Sequence, residues 1–454
     1  MLPIEPTDQT LPALVLRNAI SCPTAPAITW SEGLETHTLS WSDLRERVLN
    51  VAEWLIGMGV GPQGPVALAL GNTVDHLVID LATMHCGAAT VIVPGDFDGA
   101  EVSSLLSVSA PAVLFVEDPG MVDVLSRIDD AELGYKLVHL DADGLWRHVL
   151  AGQEPGDPRD TRGQLVQRLR DLDSNDPITV LHERSADGSV KTVAISTIDV
   201  LSATESLLAT GLFDFDYRYI ADSPLDSAMT RLLAIHLPAT VGGHVVCCPD
   251  AESLVTLLIK FRPTFMFGWP PMFSALGCWI DSMLTSPVLA HARADIVQSR
   301  RVLEEAHWLR RGGGLISQDV MVRAAIARGG TMREVRVNLG LDRLAVVVCG
   351  ATLAEDVHQF WASVGIDVLC AYGTNECAGF ISVDLPGTGI PGSAGIPLPG
   401  SRVTIAGDGS ILVRKPGQQG SESIAIAASS WRHTGDFGYL DEDGRLHVND
   451  DPGR

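Results

Sequence analysis

The chain has 454 residues, of which 46% are hydrophobic, and a formal net charge of -24. This length exceeds one ordinary hydrophobic core and favours two or three packed subdomains. No uninterrupted apolar stretch reaches the roughly 20 residues of a membrane span, which argues against a membrane-spanning protein. An acidic chain also lacks the basic face that nucleic-acid binding requires, so no nucleic-acid partner is expected.

Cysteine usage and the N-terminus indicate the cellular compartment. The eight cysteines include no C-x-x-C pair and no metal-ligand spacing, so we expect reduced, buried thiols in a cytoplasmic protein. The N-terminal sequence MLPIEPTDQTLP has neither a basic start nor an apolar core, and no secretory signal is expected.

Helix and strand patterns alternate along the first part of the chain. Residues 38–58 space apolar side chains at helical intervals and predict an amphipathic helix that ends near Gly57. Strand and helix patterns then alternate in GPVALAL, TVDHLVIDLATMHCG, AATVIVP, DGAEVSSLLSVSA and PAVLFVED. Later strand patterns are YIADSP, GGHVVCCP, PTFMFGWP, RLAVVVCG and IDVLCAYG. This alternation predicts parallel β-α-β units and an α/β fold.

The texture of the sequence changes from about residue 380 onward. Short strands and turns there predict a small β-rich, barrel-like subdomain. A helical, arginine-rich insertion interrupted by RRGGG occupies 290–338. We therefore expect two parallel-sheet subdomains, at 1–178 and 179–379, followed by the β-rich subdomain at 380–454.

Four strings follow one another in a defined order: GPVALALGN at 64–72, YGTNE at 372–376, GSAGIPLPG at 392–400 and WRHTGDFGYLDEDGRL at 431–446. In this order they resemble the motifs of the adenylate-forming, AMP-binding superfamily of acyl-CoA synthetases, peptide-synthetase adenylation domains and luciferases. The resemblance covers nearly the whole chain. SPLDSAMTR and GLDRLAVVVCGATL place it nearest to long-chain fatty acyl-CoA synthetases and fatty acyl-AMP ligases. It implies that family's large N-terminal domain, with two α-β-α-β-α subdomains and a small β-barrel-like one.

The resemblance also implies a reaction. ATP would activate a carboxylic acid, fatty or aliphatic rather than an amino acid, as an acyl-adenylate. The thiol of coenzyme A or of a carrier-protein phosphopantetheine would then displace AMP. Attack by an anion on a polyanion requires Mg²⁺ and cations to offset charge, and donors aimed at the developing oxyanion.

Individual roles follow from the resemblance. Glu376 would ligate the magnesium ion, Asn375 would donate to the α-phosphate in place of the usual threonine, and Asp436 would accept from both ribose hydroxyls. Tyr372 would stack on the adenine. The backbone around the nucleotide would be that of Gly350, Ala351, Thr352 and Gly373. Taken singly, Asp436 could be a turn residue, Glu376 a solvated loop end and Tyr372 a core side chain.

The stretch VLHERSADGSVKTV at 180–193 occupies the position of the superfamily's phosphate-binding loop, which we expect between a strand and a helix. Gly188 and Lys191 match that loop, and Lys191 is one of only four lysines in the chain. The usual hydroxyl and glycine positions have become Glu183, Arg184, Ser185, Ala186 and Asp187. A carboxylate about 4 Å from a phosphate charge costs about 4 kcal/mol at an effective dielectric of 20. Two hypotheses stay open: a loop that binds ATP weakly through Lys191 and backbone N–H groups, or a vestigial turn.

Two further departures from the superfamily bear on activity. Ser227 stands where the superfamily has a histidine, and the sequence ends at Arg454, before the mobile C-terminal domain. We therefore expect slow adenylation by this chain alone. The rival function is a degenerate or repurposed homologue that binds an acyl group, an AMP ester or a carrier protein without efficient ATP chemistry. A third is an acyl transferase or hydrolase built on the same pocket.

Weaker patterns concern partners and substrate. The arginines between Arg293 and Arg343 form a locally basic segment on an acidic chain, which could dock an acyl carrier protein or a phospholipid surface. The alternative is solvated helix faces that pair with neighbouring acidic residues. Three aromatic residues could line an acyl tunnel or belong to the core: Trp269, Phe273 and Phe380.

Overall fold

The fold is described from a computed structural model. It describes residues 10–33, 35–121, 135–140, 158–184, 189–213, 216–286, 292–311, 316–387, 389–390, 392–414 and 431–449. The helices are α1 Leu11–Ser21, α2 Trp41–Gly57, α3 Val74–His85, α4 Gly99–Ser109, α5 Pro158–Asp171, α6 Thr197–Leu208, α7 Ala228–Arg231, α8 Leu237–Val241, α9 Ala251–Phe261, α10 Pro270–Leu284, α11 Arg293–Arg311, α12 Gln318–Gly329, α13 Thr331–Asn338 and α14 Glu355–Ser363. A π-helical turn, Leu232–His236, links α7 to α8, and a 3₁₀ turn spans Asn375–Cys377.

The strands are β1 Pro26–Glu32, β2 Glu35–Ser40, β3 Val66–Ala69, β4 Thr90–Ile92, β5 Val113–Val116, β6 Lys136–His139, β7 Pro177–Arg184, β8 Val190–Ser196, β9 Arg218–Ala221, β10 His244–Cys247, β11 Phe265–Gly268, β12 Val346–Cys349, β13 Val368–Thr374, β14 Gly379–Val383, β15 Ile396–Pro397, β16 Arg402–Ile405, β17 Ser410–Arg414, β18 Arg432–Leu440 and β19 Leu446–Asn449.

Contacts divide the chain into two units. The first contains Met1–Thr204 and Ala221–Pro249, and the second contains Glu205–Ile220 and Asp250–Arg454. This division differs from the three predicted subdomains, whose boundaries stay a prediction. No helix within the described ranges combines the length and the apolar character that a bilayer-spanning segment needs.

The first unit contains a six-stranded sheet in the order β6-β5-β3-β4-β7-β8. All neighbours pair in parallel except β7 and β8. Every residue of β5, Val113–Val116, is buried, as expected of a central strand covered on both faces. The predicted amphipathic helix is α2, which begins with a capping box formed by Ser40 and Asp43 and ends at Gly57 as expected. The predicted parallel β-α-β pattern is therefore confirmed here.

A buried ion pair joins four elements of the first unit. The Arg231 guanidinium at the end of α7 contacts the Asp80 carboxylate on α3, and the two side chains are 1% and 0% exposed. Arg231 also donates to Thr179 Oγ1 on β7 at 3.0 Å, while the Thr90 hydroxyl on β4 donates to Asp80 at 2.7 Å. Since Thr90 and Thr179 are cross-strand partners, the pair fixes β7 against β4.

The second unit contains parallel strands and an antiparallel sheet. Strands β9, β11, β12 and β13 are parallel neighbours, and β14 and β15 continue the sheet antiparallel. Strands β16 to β19 form a four-stranded antiparallel sheet, which is the β-rich part predicted after residue 380. Helices α11, α12 and α13 lie within the predicted helical insertion at 290–338.

We predict that Asp80→Ala lowers the free energy of unfolding by about 3–5 kcal/mol, because it leaves the Arg231 guanidinium buried without its counter-charge. Urea denaturation monitored by circular dichroism measures the effect. The matched control is Asp319→Ala, which removes an exposed partner of Arg323 and should cost less than about 1 kcal/mol. Equal, small losses in the two variants would contradict a structural role for the buried pair.

Candidate functional site

The carboxyl ends of three parallel strands in the second unit lie at one edge of the sheet. Gly268 at the end of β11 pairs with Cys349 on β12, and Cys349 pairs with Cys370 on β13. The Gly350 amide donates to the Gly268 carbonyl at 3.0 Å. The register brings Gly350–Thr352 and Tyr372–Glu376 to this edge, where open α/β sheets bind ligands; nucleotide binding by these residues stays a prediction.

The surroundings of position 350 leave no room for a side chain, so only glycine fits there. A Cβ atom there would lie 2.8 Å from the Trp269 ring and 2.9 Å from the Phe267 ring. Phe267 in turn packs edge-on against Trp269 and Phe380, at centroid distances of 5.6 and 5.8 Å. The backbone at Gly350, in the segment predicted to border the adenine, therefore packs directly against this aromatic cluster.

The three aromatics predicted from sequence do not share one environment. Trp269 and Phe380 meet through Phe267, and Trp269 is partly exposed. Phe273 is fully buried against Trp361, at a centroid distance of 5.4 Å. Phe273 therefore belongs to the core.

A hydrogen bond joins two of the motif strings. The Tyr372 hydroxyl donates to an Asp436 carboxylate oxygen at 2.5 Å, although the residues are 64 apart in sequence. Burial and the Asp436 charge raise the pKa of Tyr372 above its ordinary value, so the phenol remains a donor. The Asp436 amide donates to the Thr434 hydroxyl at 3.1 Å. Tyr372 therefore orients the carboxylate of Asp436, the predicted ribose-binding residue, and Thr434 holds its backbone.

The Tyr372 ring combines features of the two roles considered for it. It is 9% exposed and packs in a cluster with Ile381, Ala394 and Ile411. Its hydroxyl, however, points to Asp436. Adenine stacking by this ring stays a prediction.

The predicted magnesium ligand lies on a short turn after β13. Glu376 and Asn375 belong to the 3₁₀ turn, which Ala378 closes in a left-handed conformation with φ of 58°. Glu376 is 7% exposed, so it is not a solvated loop end. Among the described residues no group of three or more His, Cys, Asp or Glu side chains is arranged to hold a metal ion.

Sequence reasoning missed Thr374, which occupies the variable position of the YGTNE string. Its Oγ1 atom is buried and has no hydrogen-bond partner among the described residues. A buried hydroxyl without a partner is uncommon, and this one directly precedes Asn375 and Glu376. The sequence feature that could have identified Thr374 is a hydroxyl side chain that directly follows a glycine, Gly373.

The described strands on either side of the phosphate-loop stretch, β7 and β8, pair antiparallel as a hairpin, and the expected strand-to-helix transition is wrong. Strand β7 pairs antiparallel with β8, Glu183 lies directly opposite Lys191, and α6 begins only after β8. The physical reason is that Val190, Val193 and Ile195 give β8 the branched residues of a strand. Gly188 and the preceding Ser185–Asp187 lie outside the described residues.

Arg184 is occupied by a neighbouring carboxylate. Its guanidinium donates to both Glu101 oxygens, at 2.5 and 2.9 Å, and lies 5.2 Å from the centroid of the Phe97 ring. Hydrogen bonding from Arg184 lowers the pKa of Glu101 to about 2. Arg184 is therefore directed to α4.

The residue in the histidine position is a helix cap. Ser227 Oγ accepts from the Thr230 amide at 3.2 Å at the start of α7. In the same segment, burial raises the pKa of Asp222 to about 7 and also raises that of Asp226. A carboxyl group that titrates near neutral pH therefore lies in this segment.

Two of the motif strings supply packing. In the first unit, the Asn72 amide donates to the Ala221 and Ser223 carbonyls at 3.3 and 2.8 Å. In the second, Gly395 adopts a φ of 85°, and a Cβ atom there would lie 2.0 Å from the Val383 backbone. These residues build the scaffold rather than contact a ligand.

Comparison with known proteins identifies the family. A family described as AMP-binding enzyme matches residues 16–425 of this chain. The chain belongs to the AMP-binding enzyme family. The resemblance stated from the motifs is therefore confirmed. Among similar proteins, the long-chain-fatty-acid–CoA ligase FadD15 of Mycobacterium bovis is 24% identical over 425 residues, covering 90% of this chain and 69% of that ligase.

Solved structures show the same fold. Apo MatB from Rhodopseudomonas palustris aligns with a TM-score of 0.69 at 20% identity, covering 97% of this chain and 78% of MatB. The N-terminal domain of FACL13 from Mycobacterium tuberculosis aligns with a TM-score of 0.70 at 17% identity, covering 97% of this chain and 100% of that domain. The predicted α/β fold of an adenylate-forming N-terminal domain is confirmed.

We predict that Asp222→Asn stabilises the protein increasingly as pH rises. The folded pKa of about 7 lies above the ordinary value of 3.8, so stability that protonated Asp222 contributes below pH 4 is lost as pH rises through 7. Asparagine mimics the protonated group, and its advantage should approach about 4 kcal/mol at pH 8 and vanish near pH 4. Urea denaturation at both pH values measures it; a pH-independent difference would contradict the assignment.

Proposed function

We propose that this chain joins a fatty or aliphatic carboxylic acid to AMP. A carboxylate oxygen would attack the α-phosphorus of ATP, and pyrophosphate would leave. A thiol of coenzyme A or of a carrier-protein phosphopantetheine would then attack the acyl carbon, and AMP would leave. The observation that carries this proposal is the hydrogen bond between Tyr372 and Asp436, which unites two nucleotide motifs at the carboxyl edge of the parallel strands.

The nucleotide would lie between that bond and the aromatic cluster. Asp436 has two carboxylate oxygens, and Tyr372 occupies one lone pair, so the remaining acceptors can take both ribose hydroxyls. Gly350, whose missing side chain lets the backbone lie on Trp269, would border the adenine with Ala351 and Thr352. Gly373 would allow the close approach of the phosphates.

The phosphates would meet the turn after β13. Mg²⁺ in phosphate sites is commonly held by one or two carboxylates together with phosphate oxygens and water, and the buried Glu376 carboxylate fits that requirement. When bound, the ion would offset charge on the phosphates. Asn375 would donate its amide to the α-phosphate, and Thr374 offers a hydroxyl in the same turn.

The acid and its compartment are also proposals. The relative FadD15 is named a long-chain-fatty-acid–CoA ligase, and the partly exposed Trp269 ring offers an apolar surface beside Gly350. Both support a fatty or aliphatic acid. All eight cysteines are free thiols, which supports a cytoplasmic location. The basic segment from Arg293 to Arg343 could receive an acyl carrier protein or a phospholipid surface.

A second candidate function is supported by the hairpin. Residues directly opposite in an antiparallel pair place their side chains on the same face, so Glu183 shares a face with Lys191. A carboxylate beside Lys191 would reduce the attraction of this lysine for a triphosphate. The candidate is a homologue that binds acyl-adenylates or a carrier protein and uses ATP poorly.

Calorimetric titration with magnesium ATP and, separately, with an acyl-sulfamoyl adenosine tests the proposal. We expect Asp436→Ala to abolish binding of both, because it removes the ribose acceptor, and Lys191→Ala to weaken only ATP, by about tenfold or more. Lys260→Ala on α9 is the matched control. Binding of the analogue without ATP would support the second candidate. Binding of both ligands unchanged by Asp436→Ala would contradict the site.

A separate test concerns Tyr372. We expect Tyr372→Phe to weaken the acyl-sulfamoyl adenosine by about three- to tenfold, because the ring remains but the donor that orients Asp436 is lost. Tyr372→Ala should weaken it further if the ring stacks on adenine. Equal affinities for the Phe and Ala variants would show that stacking contributes nothing, and the same titration measures both.

A further inference from the structure

Three helices of the insertion border a half-open cavity of about 470 Å³. Four arginines line it: Arg310 from α11, Arg328 from α12, and Arg333 and Arg336 from α13. The apolar lining consists of Ala306, Ile316, Met321, Ala324 and Ala325. Among the described residues that form this lining there is no carboxylate. We call this space the insertion cavity.

Nearby acidic groups do not balance the four guanidinium groups. One Asp367 oxygen lies 3.7 Å from Arg310 and 3.8 Å from Arg328, so a single carboxylate serves two arginines at distances beyond an ordinary hydrogen bond. Other arginines of the basic segment have closer partners: Arg323 donates to Asp319 and Glu305. Asp342 also acts on Arg336, but it is paired with Arg262. The insertion cavity therefore retains an excess of positive charge on a chain of net charge -24.

Hydrogen bonds fix the position of the Arg336 guanidinium, one of the four positive charges. Its guanidinium donates to the Val364 and Arg328 carbonyls, both at 2.9 Å, where α14 and α12 end. It packs over Gly365, where a Cβ atom would lie 2.5 Å from the guanidinium. Burial, followed by the charge of Arg328, lowers the pKa of Arg336; the Asp342 carboxylate acts in the opposite direction, and Arg333 adds to the lowering. Fixed like charges in one cavity favour an anion.

Exposed apolar side chains continue from the cavity along α12. Met321, which lines it, is 51% exposed, and Val322 and Ile326 are 51% and 68% exposed. With Ala325 they form an outward apolar stripe at helical spacing. A ligand that fits this arrangement has an anionic head and an apolar body.

The geometry of the cations selects the type of anion. A carboxylate presents two coplanar oxygens, which one arginine can satisfy alone. A phosphoryl group presents several oxygens in different directions and can accept from guanidinium groups on different helices. Arginines from α11, α12 and α13 contribute here, which matches the phosphoryl group.

We propose that the insertion cavity binds the phosphoryl group of an amphiphilic phosphate ester, with the ester's apolar part lying on Met321, Ala325 and Ile326. This site is separate from the proposed adenylation residues, since none of them lines the cavity. The same phosphoryl chemistry could come from a soluble ester or from a phospholipid headgroup in a bilayer.

The test uses the full 454-residue chain and two probes. Calorimetry with dihexanoyl phosphatidate measures binding of a soluble ester, and co-sedimentation with phosphatidylcholine vesicles, with and without phosphatidate, measures binding to a bilayer. We expect the double variant Arg328→Gln/Arg333→Gln to weaken binding by about tenfold or more, since each charge-assisted hydrogen bond contributes strongly. Arg336 stays unchanged because it supports the helix ends.

Matched variants keep the proposal falsifiable. Arg301→Gln/Arg343→Gln removes the same charge outside the lining and should leave affinity within about twofold. Ala325→Phe fills the cavity without changing charge and should also abolish binding, which decides the case if the arginine variant fails to fold. Asp436→Ala should bind both probes normally, so failure of the adenylation proposal is distinguishable. Absence of binding to both probes, or equal losses in the control pair, would overturn the proposal.

Discussion

The candidate site depends on the parallel register of β11, β12 and β13. Because Gly268, Cys349 and Cys370 lie side by side, the strands end at the same edge of the sheet. The loops that follow these strands are far apart in sequence, but they therefore begin at the same edge of the sheet. The hydrogen bond between Tyr372 and Asp436 then connects β18 of the antiparallel sheet to that edge. These two constraints set the positions of the residues in the second unit that we propose to bind the nucleotide.

Buried polar contacts perform a comparable task in the first unit. The pair between Asp80 and Arg231 binds Thr90 and Thr179, so it fixes the start of β7, the first strand of the β7–β8 hairpin. Desolvating two charges is costly unless their partners are well placed. This arrangement gives the hairpin a fixed start while its charged end carries Glu183, Arg184 and Lys191.

The pairing of charges differs between the hairpin and the insertion. In the hairpin, Arg184 is matched by Glu101 and Lys191 faces Glu183, so local positive charge is largely offset. In the insertion, two arginines of the cavity, Arg310 and Arg328, share the single Asp367 carboxylate. An acidic protein can thus present a locally cationic cavity, because a bound anion interacts most strongly with the nearest side chains and only weakly with the net charge of the chain.

The sequence by itself determined the α/β class, α2, the parallel strands and the motif residues, because hydrophobic periodicity and short glycine-rich strings are local properties. Only the tertiary structure decided that β8 precedes the expected helix, that Tyr372 bonds Asp436, that Thr374 has a buried hydroxyl and that Phe273 belongs to the core. Strand pairing, burial and hydrogen bonding join residues distant in the chain, and a linear pattern does not specify which distant atoms meet.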